Sequence, residues 1–257
     1  MSRIITITSD LGNTDYFVAL LKGAIYNVLP EGIQLCDISN HIDPHDIQQA
    51  AFFLGASYSR FPENSIHIAK VYSYYSRQPE FIAFKQNGHF FIGPNNGLFS
   101  LIFPELESSD CQLIQFDSDD INTQIAHACA CISKGLFPEE IGIPLEKLNK
   151  KLTLQAVTTS SNIRATIIHV DHFQNVILNV TKESFESVRK GRRFELFYQQ
   201  HDPITKISEH YSQVPVGDVL CTFNSVGLLE IAINMGKGSG SLNLKKGETI
   251  QIYFYDQ

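Results

Sequence analysis

The stretch Ile4-Ile5-Thr6-Ile7-Thr8-Ser9-Asp10-Leu11-Gly12-Asn13-Thr14-Asp15, followed by Phe17-Val18-Ala19-Leu20-Leu21, decides how this chain is read. An apolar, β-branched run breaks into a short acidic turn and then into a helical pattern, the opening of a strand–helix unit. In an open α/β sheet ligands bind outside the carboxyl ends of the strands, which puts Asp10 where a carboxylate meets a ligand. The other reading of Asp10 is a cap, since Asp, Asn and Thr before a helix satisfy its unpaired N–H groups. The turn has neither G-x-G-x-x-G nor G-x-x-x-x-G-K-[ST], the backbone nests that hold di- and triphosphates. A ligand here is therefore expected to carry no phosphate. A carboxylate instead accepts hydrogen bonds from both hydroxyls of a ribose, which favours a nucleoside over a nucleotide.

The chain has 257 residues, enough for one large domain or two small ones, and 43% of them are hydrophobic, ample for a packed core. The balance of 20 basic against 27 acidic residues, with no basic run or stripe, argues against binding to nucleic acid. Met1-Ser2-Arg3 leads directly into a short strand. There is no apolar core of a signal peptide and no run of about 20 apolar residues, so a soluble cytoplasmic protein with no membrane partner is expected. Cys36, Cys111, Cys129, Cys131 and Cys221 are odd in number and scattered, as reduced thiols are. Cys129-Ala130-Cys131 has no second pair to complete a zinc site and reads as helix-packing sulfur, so no metal is expected.

Outward from the opening stretch, strand and helix patterns alternate: a strand near 3–8, a helix near 15–28, a strand at 33–37 and a helix near 46–59. Strands at 66–71, 81–84 and 89–92 and a helix near 122–134 follow. The early βαβ order predicts an α/β domain with a mostly parallel sheet covered on both faces. Thr158-Thr159-Ser160-Ser161-Asn162 is polar and aperiodic, a linker or exposed turn. Beyond it short strands are expected at 163–170, 175–180, 193–198, 218–223, 227–233 and 249–255, with one helix at 182–189. That half reads as a small antiparallel barrel or sandwich. The predicted organisation is an α/β nucleoside-binding domain over 1–155 and an all-β domain over 156–257.

Six segments carry a further signal in their order and spacing: Ser9-Asp10-Leu11-Gly12 with Asp15, Asp37-Ile38-Ser39, Pro44-His45-Asp46-Ile47, Pro94-Asn95-Asn96-Gly97-Leu98, Asp171-His172-Phe173-Gln174-Asn175 and Asn224-Ser225-Val226-Gly227-Leu228-Leu229-Glu230-Ile231-Ala232. In these the chain resembles the S-adenosylmethionine hydroxide adenosyltransferases and their relatives, the adenosyl fluorinases and chlorinases, over nearly its whole length. The resemblance implies an N-terminal α/β domain, a C-terminal β-barrel, and a homotrimer with its sites between neighbouring subunits. It implies a bent S-adenosylmethionine whose C5′ is attacked by water, hydroxide or halide. No metal or cofactor takes part, S-adenosylmethionine being the substrate.

By the same resemblance Asp10 holds the ribose hydroxyls, and Asp171 and Ser225 grip the methionine, a carboxylate for its ammonium and a hydroxyl for its carboxylate. Phe173 supplies stacking area for adenine and Asn175 an amide for its edge. The plain alternative for these second-domain residues is an ordinary strand–turn sequence. Asp15, Asn95 and Asn96 belong to matching segments, although Asn-Asn-Gly is also a tight-turn sequence. Glu230 is either an outward surface charge or one inward polar residue of a barrel wall. His67, His89 and His169 lie in strand-like runs and read as structural, whereas His45 matches a position that lines the reactive pocket, with a structural role as its alternative.

The water-using members carry Val-Asp-Pro-Gly-Val-Gly followed by an arginine, and later Phe-His-Gly-Arg-Asp. Here the first becomes Val71-Tyr72-Ser73-Tyr74-Tyr75-Ser76-Arg77-Gln78-Pro79-Glu80, with Tyr72 in place of the acid and Pro79 near the expected arginine, Arg77 being close enough for a changed loop to recruit. Around the second, Asp120 falls near the expected histidine, and Asp117, Asp119 and Asp120 also read as a solvated turn before a helix. A tyrosine at position 72 is a feature of the halide-using relatives, whose serine in the second segment is Ile121 here. A phenol is a poor general base at neutral pH, so Tyr72 and Arg77, the candidate catalytic pair, suit positioning of water better than its deprotonation. Tyr72, Tyr74 and Tyr75 could also face a sulfonium, or simply form an aromatic loop. Three functions follow: an adenosine-forming hydrolase, a catalytically silent nucleoside-binding homologue acting as sensor or trimeric scaffold, and an adenosyl halogenase.

Overall fold

The computed structural model describes residues 4–116, 118, 120–199 and 202–256. The chain divides into two compact units, Met1–Thr153 and Leu154–Gln257.

The first unit runs β1 (Ile4–Ser9), α1 (Phe17–Val28), β2 (Gln34–Ser39), α2 (Ile47–Ser57), β3 (Ile66–Lys70), β4 (Phe81–Gln86) and β5 (His89–Pro94). It continues through α3 (Leu98–Ile102), β6 (Gln112–Ile114), α4 (Ile121–Ser133), α5 (Pro138–Ile141) and β7 (Gly142–Pro144). The sheet order is β2-β1-β3-β5-β4-β6-β7. β2, β1, β3 and β5 are parallel, whereas β4, β6 and β7 pair antiparallel. The sheet is therefore mixed, not mostly parallel. The cause is local: Asn87 and Gly88 both have positive φ, +49° and +80°, and close a tight β4–β5 hairpin that reverses the chain.

Ile5 and Ile7 of β1 and Ile66 and Ile68 of β3 pack against Leu21 and Ile25 of α1 and Ile125 and Cys129 of α4. The opposite face sets Phe84, Phe91 and Phe99 against Ala50 and Leu54 of α2. Each fully buried Ile or Phe contributes about 1.5–3 kcal/mol of transfer free energy, so this two-sided burial fixes where the strand ends fall. Burial pushes the Cys111 and Cys221 thiols up to about 12 and the Cys129 thiol higher still, as expected of packing sulfur.

Within the sheet, Thr6 Oγ1 lies 2.7 Å from His67 Nδ1, and His67 Nε2 lies 3.2 Å from His89 Nδ1. Burial, and then the neighbouring His89, holds His67 down to about 3, and burial lowers His89 as well. A neutral folded imidazole means that, as pH falls below about 6.5, the unfolded chain gains a proton that the folded chain refuses. Stability is full above that pH and declines as pH falls toward the folded value. Between about pH 7.5 and about pH 5 the fold is expected to lose about 2 kcal/mol through His67 alone, measured by urea unfolding. A His67→Gln variant is expected to lose less over that interval, and an equal loss in both would contradict the neutral pair.

The second unit runs β8 (Val157–Thr158), β9 (Asn162–Val170), β10 (Val176–Thr181), α6 (Lys182–Arg189), β11 (Arg193–Phe197), β12 (Val219–Phe223), β13 (Leu228–Ile233), α7 (Gly238–Leu242) and β14 (Thr249–Tyr255). Its strands follow the order β11-β14-β9-β10-β13-β12, all antiparallel, with β8 also on β9. β9 is the corner strand: Asn162 to Thr166 pair with β14, and Ile167 to Val170 pair with β10. The sheet thus curls over a core that includes Phe185, Phe194 and Phe254. It is a half-barrel, not the closed barrel expected. Among the described residues its end strands β11 and β12 do not pair with each other, and isolated bridges join Ile204 to Leu196 and Ile207 to Cys221. Among the described residues no helix is long and apolar enough to cross a membrane.

Candidate functional site

In the first unit the site residues gather where β1 and β3 end. Asp10 follows β1 directly, yet it does not cap α1, which begins at Phe17 after Tyr16 with no side-chain cap. Its Oδ2 instead accepts the backbone N–H of His45 at 3.0 Å and of Tyr72 at 3.1 Å. Both donors stand at positive φ, +68° and +49°. Such backbone is sparsely populated for residues with a Cβ, at a cost on the order of 1–3 kcal/mol each, and tends to mark functional loops. His45 Nδ1 is 3.8 Å from the same oxygen, and its ring centre is 5.1 Å from that of Tyr72. The Asp10 side chain is 11% exposed, and its Oδ1 takes no hydrogen bond among the described residues. One oxygen ties two loops together, and the other is unengaged among the described residues.

The turn beneath is braced by Asn40, whose Oδ1 accepts from Ser9 Oγ and whose carbonyl accepts from Gly12 N–H. Asn96 serves the same end from the turn after β5: its Nδ2 donates to the carbonyls of Val71 and Tyr72, and its Oδ1 accepts from Leu98 N–H. Asn96 thereby sets the segment whose N–H reaches Asp10. Asn95 is buried and fully engaged, donating from Nδ2 to Glu80 and to the Lys147 carbonyl and accepting from Asn149 N–H. Asp15 and Arg77 are exposed, and among the described residues neither makes an ion pair. Tyr72 is 39% exposed, and Tyr74 more so.

Two further groups lie at this end of the sheet, Lys70, which the sequence did not single out, and Asp120, read there as part of a turn before a helix. Lys70, the last residue of β3, lies opposite Ser9 and is 7% exposed. Burial lowers its pKa, an effect that Asp120 and Asp10 partly offset. Asp120 caps α4, accepting from Asn122 N–H, Thr123 N–H and Thr123 Oγ1. The Thr123 hydroxyl, with these N–H groups, keeps its carboxyl below the usual range. Asp117 and Asp119 lie outside the described residues.

The second unit holds its own set. Asp171 closes the β9–β10 turn, accepting the N–H of Asn175 at 2.7 Å and its Nδ2 at 3.0 Å. Phe173, at the tip, is 72% exposed. Ser225 is exposed in the β12–β13 turn, which Asn224 Oδ1 organises by accepting from Val226 and Leu228 N–H. Glu230 alternates with Leu229 and Ile231 of the core and so lies on the other face of β13, yet it is 3% exposed and accepts the hydroxyl of Tyr211 at 2.5 Å. Burial, with the nearby charge of Asp171, raises the Glu230 carboxyl above the usual carboxylate range. Burial and the bond to Glu230 likewise raise the Tyr211 phenol. Tyr211 sits in a segment with no periodic pattern, so only the fold brings it to Glu230.

The chain matches known proteins along most of its length. The profile of the SAM hydroxide adenosyltransferase N-terminal domain matches residues 5–130, and that of the C-terminal domain matches residues 165–251. An (R)-S-adenosyl-L-methionine hydrolase of Methanocaldococcus jannaschii is 24% identical, the match covering 98% of this chain and 96% of that protein. A fluorinase of Actinoplanes sp. is 22% identical over 97% of each. A crystal structure of an uncharacterized conserved protein from Thermotoga maritima superposes with a TM-score of 0.82 at 22% identity, over 97% of this chain and 99% of that one, and shows the same fold. With both domain profiles matched in order and nearly every strand accounted for, the chain belongs to the SAM hydroxide adenosyltransferase family.

Proposed function

We propose that this protein binds S-adenosylmethionine and hydrolyses it to adenosine and methionine, water attacking C5′. The observation that carries the reading is Asp10, a carboxylate anchored by two N–H groups through one oxygen, with the other unengaged, in a chain of this family. The relatives named as hydrolases support the choice of reaction. In this reading Asp10 Oδ1 takes the ribose hydroxyls, and His45 and Tyr72 border the reacting carbon. Asp171 and Ser225 receive the methionine. Phe173 stacks on adenine, and Asn175, its Nδ2 committed to Asp171, offers Oδ1 to the adenine amino group. The reaction is an in-line displacement at carbon, helped by alignment and by stripping water from the nucleophile, and a neutral thioether leaves. No cofactor enters.

A homotrimer is part of this proposal, supported by the exposure of Tyr16, Phe17, Leu20 and Tyr26 in and before α1. A cytoplasmic location is supported by five free thiols.

A second reading, a silent binding homologue, draws on Arg77, which is exposed and makes no ion pair among the described residues while the usual acid and histidine are replaced. Incubation with S-adenosylmethionine, with and without chloride, decides among these when products are separated by chromatography and binding is followed by calorimetry. Adenosine and methionine in equal amounts are expected. Binding without product would favour the silent homologue, a 5′-chloro nucleoside the halogenase, and no binding would overturn all three.

A further inference from the structure

We propose that Lys70 is the general base of this site, its uncharged Nζ taking the proton of the attacking water. This rests on the hydrolase reading above. Lys70 ends β3 two residues before Tyr72, whose N–H holds Asp10, and the charges of Asp10 and Asp120 at this end of the sheet both act on its amine. It is 7% exposed and makes no hydrogen bond or ion pair among the described residues. The two carboxylates whose charge bears on it are also tied elsewhere, Asp10 through Oδ2 to His45 and Tyr72 N–H, and Asp120 to the first turn of α4. A buried ammonium without a close partner is costly, and loss of its proton relieves that cost. The lowered pKa agrees in direction.

The charged groups facing Lys70 are Asp10 with His45 beside it, and Asp120. The adjoining stretch of β5, Phe90 to Pro94, carries none, and Asp117 and Asp119, outside the described residues, precede Asp120 in sequence. In the step, the water oxygen bonds to C5′ as the C5′–S bond breaks with its electron pair on sulfur. The water proton passes to Lys70 Nζ and from there to solvent. The products are adenosine, methionine and one proton.

The test is steady-state kinetics of wild type, Lys70→Arg, Lys70→Met and Lys70→Ala against pH, with S-adenosylmethionine binding by calorimetry to establish that each variant is folded. Wild-type kcat is expected to rise with pH along one limb to a plateau. Both Lys70→Arg, which keeps the charge, and Lys70→Met are expected to lose about 10²–10⁴-fold in kcat with KM little changed. Ethylamine is expected to restore part of the Lys70→Ala rate in proportion to its uncharged form. Wild-type kcat and pH limb in Lys70→Arg, or a rise in KM alone in Lys70→Met, would overturn the proposal while leaving the hydrolase reading intact. Absence of adenosine from the wild type would overturn both.

Discussion

Replacing Asp10 by alanine is expected to weaken S-adenosylmethionine binding by about 10²–10³-fold, a loss of about 3–4 kcal/mol. Two ribose hydroxyls lose a charged acceptor, and hydrogen bonds to charged groups are worth about 1.5–3 kcal/mol each. The variant also releases the N–H groups of His45 and Tyr72, two residues that stand at positive φ. Asp10→Asn separates these contributions. Its amide oxygen can still accept both N–H groups, but its NH₂ cannot accept a hydroxyl, so an intermediate loss is expected. Calorimetry with adenosine and 2′-deoxyadenosine isolates the ribose contact. Wild type should prefer adenosine by about tenfold, and Asp10→Ala should hold the two nearly alike. Unchanged binding by Asp10→Ala would remove the ribose role.

The largest effect on stability is expected at Asn95. Asn95→Leu leaves the Glu80 carboxylate, the Lys147 carbonyl and the Asn149 N–H without their partner in a site where Asn95 itself is 1% exposed. Each unpaired group costs about 1–3 kcal/mol, so a total of about 3–5 kcal/mol and a fall in melting temperature of about 10 °C are expected. S-adenosylmethionine affinity, measured below the new transition, should be nearly that of wild type, because Asn95 Nδ2 donates twice within the protein and its Oδ1 already accepts the Asn149 N–H. A stable variant that fails to bind would instead make Asn95 part of the ligand site. Asn96 differs, since its amide holds the Val71 and Tyr72 carbonyls and so bears on the site through the backbone.

The regular elements were legible in the sequence because periodicity and burial agree there. The six strands expected after residue 160 fall within one residue of β9 to β14, and the helix over 182–189 is α6. The mixed sheet was also signalled, by Asn87-Gly88 between two apolar runs, but βαβ alternation in the first half drew the reading toward parallel strands. Three-residue strands such as β6 and β7 are too short to show a period and exist because neighbouring strands present unpaired edges. Openness of the second sheet depends on where Ile204 and Ile207 bridge, a tertiary matter.

At the site, Asp10 was visible as a residue but ambiguous as a role, and only the direction of two N–H groups separates it from a cap. Lys70 reads as the polar end of an apolar strand. Its significance comes from burial beside carboxylates far away in sequence. Tyr211 pairs with a glutamate nineteen residues later and gave no local signal.

The central claim, that water displaces methionine at C5′, is tested most directly by turnover in ¹⁸O-labelled water with mass spectrometry of both products. One ¹⁸O at the 5′ oxygen of adenosine, and none in methionine, is the predicted result. Unlabelled adenosine, label in methionine alone, or no turnover of bound S-adenosylmethionine would contradict it.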